Sequence, residues 1–347
     1  MKKRTALPIA GGLMVCLAAG ALCATLGTPL PWMIGPIVAM AIFNFSGAQL
    51  EAPPLGREAG QLVVGVALGL YFTPPVVREV AAYGVLFVAL GFAAIGVGAT
   101  SAAFLACAAR LDRATAFFGS MPGGAADMAN LGERNGALVD RVALAHSIRM
   151  LFVVTLVPVG LTLAGFSGTD DYRSLTLPFD APGLGVLLAI AAFGGFAAQR
   201  LRVPNAYMIG PLFATIGSTV AGVELSSVPA PLSNAAQLVL ACSLGAQFRR
   251  SFLTEAPRFV LALIPAIAIT LTLAALVGVA LGWAANAYLG TSLLAAAPGG
   301  IAEMAITAKV LRIGVPFVTA AHVVRYVIVV TLCEPVFRLF ARRDAAP

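Results

Sequence analysis

Charge is scarce in this sequence. Its 347 residues include 22 Lys and Arg, 15 Asp and Glu, and two His. So few charges cannot cover the surface of a soluble chain of this length. Mean hydropathy is +0.94, and no charge interrupts Thr5 to Leu50, Val80 to Ala109 or Phe259 to Ala302. A spanning helix takes about 20 mostly apolar residues, so the first and third of these runs can each hold two. Other absences narrow the class further. No CxxC pair occurs among Cys16, Cys23, Cys107, Cys242 and Cys333. All five lie in apolar segments and read as small core residues rather than disulfides or metal ligands. No Gly-rich nucleotide loop is present, which argues against ATP drive. No polar stretch is long enough for a soluble domain. The net charge of +7 would suit nucleic acid, but the Lys and Arg sit in short loops, where orientation in a bilayer explains them better. These absences define a polytopic membrane protein, with no direct nucleic-acid contact and no cofactor implied.

What the sequence does have is one pattern written twice. Met121-Pro122-Gly123-Gly124-Ala125-Ala126-Asp127-Met128-Ala129 returns 176 positions later as Ala297-Pro298-Gly299-Gly300-Ile301-Ala302-Glu303-Met304-Ala305. The same offset carries His146 to His322, Arg149 to Arg325 and Thr155 to Thr331. Met33-Ile34-Gly35-Pro36 pairs with Met208-Ile209-Gly210-Pro211, and Gln61 to Phe72 pairs with Gln237 to Phe248. Pro8 to Ala24 has a counterpart at Gly183 to Gln199, so it reads as a first spanning helix and not a cleaved signal peptide. Duplication inside an apolar chain is a mark of transporters built from two related halves, with the site where they meet. The expected organisation is a first membrane repeat at 1–168, an extracytoplasmic linker at 169–180 and a second membrane repeat at 181–347.

Each half divides into six apolar segments, at 7–25, 31–48, 60–72, 81–108, 114–132 and 142–166, then at 182–199, 204–222, 232–248, 259–284, 290–308 and 316–337. Loop charge sets their direction. Arg110 and Arg113 face an uncharged equivalent at 286–289, and Arg200 and Arg202 face one at 25–28. The positive-inside rule then points the halves in opposite directions, so each must cross an odd number of times. The Pro-Gly-Gly segment, polar and interrupted by helix breakers, is the one expected not to cross. The predicted fold class is therefore all-α polytopic, with two inverted repeats. About ten transmembrane helices are expected, plus two re-entrant or broken Pro-Gly-Gly segments. This arrangement puts both termini and 16 of the 22 Lys and Arg on the cytoplasmic side, as expected for a bacterial-type inner membrane.

Broken backbone at membrane depth is tolerated where it lines a cavity or is covered by protein. Pro122, Gly123 and Gly124, with Pro298, Gly299 and Gly300, are candidate substrate-binding turns whose restarting helices offer N–H groups to an anion. The alternative is a tight packing turn. Asp127 and Glu303 are candidate ion-coupling carboxylates for a proton or Na⁺, or partners of an arginine. Arg149 and Arg325 suit an anionic group. His146 and His322, one helical turn away on the same faces, are candidate proton relays or structural hydrogen-bonding groups. The Gly-Pro pairs at 35–36 and 210–211 either break a helix or sit in an ordinary first turn. Glu334 and Glu133 read as solvated charges near the membrane edge.

These residues resemble the membrane AbrB family, on the doubled Met-Ile-Gly-Pro segments, the doubled Pro-Gly-Gly-x-Ala-(Asp/Glu)-Met motif and the following His-x-x-Arg. Ala206 departs from the pattern where the first half has Pro31. The resemblance covers nearly the whole chain and implies a fold more firmly than a substrate. Family members are often described as regulators or ammonia monooxygenases, and the name is shared with a short soluble DNA-binding protein that this chain does not resemble. An oxygenase metal site needs several imidazole or carboxylate ligands, and two histidines, one per half, supply few, so no enzymatic activity is expected. The leading expectation is an ion-coupled secondary transporter of a small anionic solute, with the broken tips enclosing a small wet chamber. Alternatives are a membrane regulator of gene expression acting through a partner or a solute level, and a channel. Partners would be the bilayer, the solute, a proton or Na⁺, and a second copy in a homo-oligomer.

Overall fold

The computed structural model describes residues 6–168, 177–251 and 257–343, without the side chains of 340–343. Lys2 to Arg4 and most of the linker, with Asp170, Asp171 and Arg173, lie outside the described residues. Within them the chain is all-helical, with 15 helices and no strand. The first half holds α1 (Ala6–Thr25), α2 (Pro31–Phe45), α3 (Gly56–Gly69), α4 (Pro74–Ala82), α5 (Gly84–Ala109), α6 (Arg113–Ser120), α7 (Ala125–Arg134) and α8 (Val139–Leu163). The second holds α9 (Ala181–Arg200), α10 (Ala206–Val220), α11 (Ala230–Gly245), α12 (Pro257–Ala285), α13 (Leu289–Ala296), α14 (Ile301–Leu311) and α15 (Val315–Arg343).

Among the described residues, six helices are long and apolar enough to cross a bilayer: α1, α5, α8, α9, α12 and α15. The bent pair α3 and α4, kinked by 95° across residues 70–73, brings the number to seven. The protein is thus a polytopic helical membrane protein. Ten crossings would also require α2, α10 and α11, of 15, 15 and 16 residues, to cross as short helices. The sequence placed a single segment at 60–72. The bend arises because Pro74 and Pro75 open a new helix, where missing N–H groups cost nothing.

The duplication is written in the backbone as well as the sequence. Left-handed residues recur at offsets of 175 or 176: Gly27 with Arg202, Leu30 with Asn205, Gly47 with Gly222, Arg110 with Asn286, and Gly136 with Arg312. Several of these pairs have no side-chain chemistry in common. The conserved quantity is the turn.

The chain forms two compact units, each drawn from both halves. One comprises Met1–Val80, Pro158–Leu253 and Ala305–Pro316. In it α1 packs on α2 and α9 on α10, while α3 packs on α10 and α11, and α11 on α2. Exchanging the halves maps these packings onto one another. Gly35 and Gly210 allow close helix approaches, because a Cβ on Gly35 would press on the Ala19 carbonyl of α1 and one on Gly210 on the Gly194 carbonyl of α9. The following Pro36 and Pro211 lie inside continuous helices. The Gly-Pro pairs are therefore packing positions and do not break the helix. Polar groups are satisfied locally. Gln61 donates to the side chain of Asn205 at 2.8 Å, and Asn44 fastens the chain at Leu50 by donating to its carbonyl and accepting from its N–H.

The second unit comprises Ala81–Val157, Thr254–Met304 and Phe317–Pro347. Here α5 packs on α12, α6 on α5 and α13 on α12. Ser101 of α5 donates to the Ala266 carbonyl of α12 at 3.0 Å, and Gly278 lets α12 meet the backbone of α13. Glu334 is paired with Arg338 at 2.7 Å and accepts from Asn135 at 3.3 Å.

Candidate functional site

The repeated Asp/Glu, His and Arg residues lie in the second unit. Each Pro-Gly-Gly sequence breaks a helix in the same way. The chain turns extended at Met121 and Ala297, with ψ of 137° and 138°. The N–H of Gly123 then bonds the Met121 carbonyl at 2.9 Å, and that of Gly299 bonds the Ala297 carbonyl at 2.9 Å. These are three-residue turns closing over Pro122 and Pro298, and proline's ring-fixed φ is what the centre of an inverse γ-turn requires. The glycines are set by space. A Cβ at Gly123 would press on Met128, and one at Gly299 on Met304. Gly124 and Gly300 start α7 and α14, and a Cβ there would collide with the carboxylate oxygens of Asp127 and Glu303. Each acid sits in the first turn of its helix and folds back against the glycine, where the helix dipole favours negative charge. The chain's own carboxylates therefore occupy the helix starts that the sequence offered to a solute.

The arginines staple these turns. Arg149 Nη1 donates to the carbonyls of Ser120 at 3.3 Å and Met121 at 2.8 Å, and Nη2 to that of Gly123 at 3.5 Å. Arg325 repeats the pattern, donating to Ala296 at 3.5 Å, Ala297 at 2.5 Å and Gly299 at 2.7 Å. Carbonyls at the ends of α6 and α13 have no helical partner and cannot be left bare at membrane depth. A planar fork can reach several of them at once.

The histidines differ. Arg149 Nη2 also donates to His146 Nδ1 at 2.8 Å, so the ring carries its proton on Nε2, which faces the Phe118 carbonyl at 2.9 Å. His322 Nδ1 instead bonds the Val318 carbonyl of its own helix at 2.9 Å. The acids differ as well. Asp127 is half-buried and accepts from Tyr326 at 2.5 Å, whereas Glu303 is only 7% exposed. Tyr326 was not legible from the repeat because its counterpart is Met150. The adjacent Arg325 was the only hint.

A small pocket of about 10 Å³, room for roughly one water, gathers both turns. Pro122 and Pro298 line it together with Arg325. Leu90, Ala94 and Val97 supply one face of α5, and Thr270, Ala274 and Val277 one face of α12, each at helical spacing. Asp127 and Glu303 are not among the lining residues. The lining is apolar except for Arg325 and Thr270, which makes the chamber drier than the sequence suggested.

Fold and site together define an all-α polytopic membrane protein with a duplicated broken-helix core. The chain belongs to the AbrB family: residues 32–341 match the family described as "Transition state regulatory protein AbrB". It is 27% identical to "Uncharacterized protein YhjN" of Bacillus subtilis (strain 168), over 96% of this chain and 91% of that protein. It is 25% identical to "Putative regulator AbrB" of Escherichia coli (strain K12), over 81% of each. Neither name states a chemical activity.

Proposed function

We propose that this protein is an ion-coupled secondary transporter of a small anionic solute in a bacterial-type cytoplasmic membrane, with inverted halves and both termini cytoplasmic. The observation that carries the reading is a small pocket to which both halves contribute a broken turn and the second half a buried arginine. Transport sites built from half-helices at a repeat interface have this form. Asp127 and Glu303, on the helices leaving those turns, serve as the coupling carboxylates. Displacement of one compact unit against the other supplies alternating access. The Arg residues hold the turns, and His146 and Tyr326 tie the charged groups to the hairpins. No oxygenase chemistry is assigned.

The test uses proteoliposomes of the full chain loaded with a pH-reporting dye and challenged with a panel of small anions. A solute-dependent proton or Na⁺ movement that disappears in the double variant Asp127→Asn, Glu303→Gln at equal reconstitution supports coupling. Solute movement unchanged in that variant refutes the role of the acids. The name of the E. coli relative favours a second reading, a membrane regulator acting through a partner or a solute level. Co-purification of a cytoplasmic protein with no solute movement would support that reading instead.

A further inference from the structure

We propose that Cys16 and Cys242 form a disulfide site that ties α1 to α11. The proposal goes beyond the transport reading and does not depend on it. Both thiols are fully buried in one apolar cluster with Met40 and Leu238, and a side-chain hydrogen bond joins them. They come from opposite halves of the sequence but lie in the same compact unit, where α1 and α11 pack together. Their spacing along the chain did not announce that two of the five cysteines meet. The others are placed differently: Cys333 faces the thioether of Met128 at 3.8 Å, Cys23 is half-buried and Cys107 is exposed.

The duplication separates packing from chemistry. At the repeat offsets of 175 and 176, Cys16 corresponds to Ala191 of α9 and Cys242 to Val66 of α3. Ala191 and Val66 are also fully buried and share a cluster, with α9 packed on α3 as α1 is on α11. The contact is thus made twice, once with two thiols and once with hydrocarbon. Sulfur is not needed to fill the space. Thiols that already hydrogen-bond need only side-chain rotation to come within bonding distance. Gly12 and Gly20, one turn to either side of Cys16, are the other buried residues of α1, so no bulky side chain on that face holds the helices apart. Burial in hydrocarbon keeps water-borne reagents away, which leaves each thiol its partner to react with. The oxidant is a small bilayer-permeant acceptor of two electrons and two protons, as quinones are. Two S–H bonds break and one S–S bond forms. Both protons and both electrons pass to the acceptor, which leaves in its dihydro form. The link closes a loop of more than half the chain and so restricts the unfolded state. Of the six long spans, α1 has the smallest buried share and has the most to gain from a covalent tie.

The test treats the intact protein in nanodiscs with diamide, a permeant oxidant that takes up two hydrogens. The protein is then unfolded and its free thiols are counted with a maleimide. The five thiols of the chain should fall to three. Peptide mapping without reductant should find the peptides of Cys16 and Cys242 joined, and reduction after unfolding should restore all five thiols. The linked protein should melt at a higher temperature than the reduced one. The double variant Cys16→Ala, Cys242→Val copies the sister contact of Ala191 with Val66. It should fold, keep its three thiols under diamide and melt alike with and without the oxidant. The thiol count on the natural sequence stands whether or not that variant folds. Five thiols surviving the treatment overturn the proposal, as do links made by Cys23, Cys107 or Cys333 in its place, links between two copies, or a linked form that melts no higher than the reduced one.

Discussion

Arg149 and Arg325 show why a residue type alone does not fix a role. An arginine inside a span must find negative partners, and these two find the carbonyls that a broken helix leaves bare. Replacing Arg149 with Ala strands buried carbonyls at about 1–3 kcal/mol each, so destabilisation of about 3 kcal/mol or more is expected in detergent unfolding. Arg149→Lys should recover only part of it, because an ammonium is a point donor without the planar fork. The glycines make a sharper prediction. Gly300→Ala and Gly124→Ala both push on a carboxylate, but Asp127 is half-exposed and can swing aside, whereas Glu303 is buried. Overpacking of this kind typically costs about 1–3 kcal/mol. Gly300→Ala should sit at the upper end and Gly124→Ala at the lower end, as read by melting temperature.

Among the helices, the repeated motifs were the most legible part of the sequence, because duplication marks positions that cannot drift. Pro122, Gly123, Gly124, Asp127 and Met128 each have a place in the turn, and each returns in the second half. The helix break was readable for the same reason. The bend between α3 and α4 was not, because α4 carries Arg78 and Glu79 and so fell outside the apolar runs at 60–72 and 81–108. The pocket walls were hidden too: α5 and α12 are apolar on all sides, so no face of either helix announced itself. Tyr326 escaped because it lacks a repeated partner. Gly35 and Gly210 were noticed for the prolines beside them, yet the glycines matter more for packing. Gly35→Val should force α1 off α2 and Gly210→Val should force α9 off α10, each costing about 1–3 kcal/mol. Pro36→Ala should be milder, since the helix around it is continuous. Chemical unfolding of the three variants in one detergent ranks them.

At the scale of the molecule, repeat and compact unit are different divisions. The repeat runs along the sequence, whereas each unit takes segments from both halves. That interleaving suits a duplicated chain in which equivalent helices do equivalent work about a shared centre. The inverted orientation rests on loop charge, so it can be checked directly. A fluorescent reporter fused after Pro347 should fold and fluoresce in the cytoplasm, whereas one inserted between 169 and 180 should be active only as an exported enzyme. The same compartment for both would remove the inversion.

Alternating access to the pocket is the centre of this account, and one labelling experiment reaches it. In a cysteine-free background, Ala94→Cys places a thiol in the pocket wall. An impermeant anionic thiol reagent is then applied from one face of oriented proteoliposomes, and in parallel from the other. The account predicts modification from each face, in proportions that shift when the ion gradient is reversed. Modification from neither face, or from one face alone whatever the gradient, would contradict it.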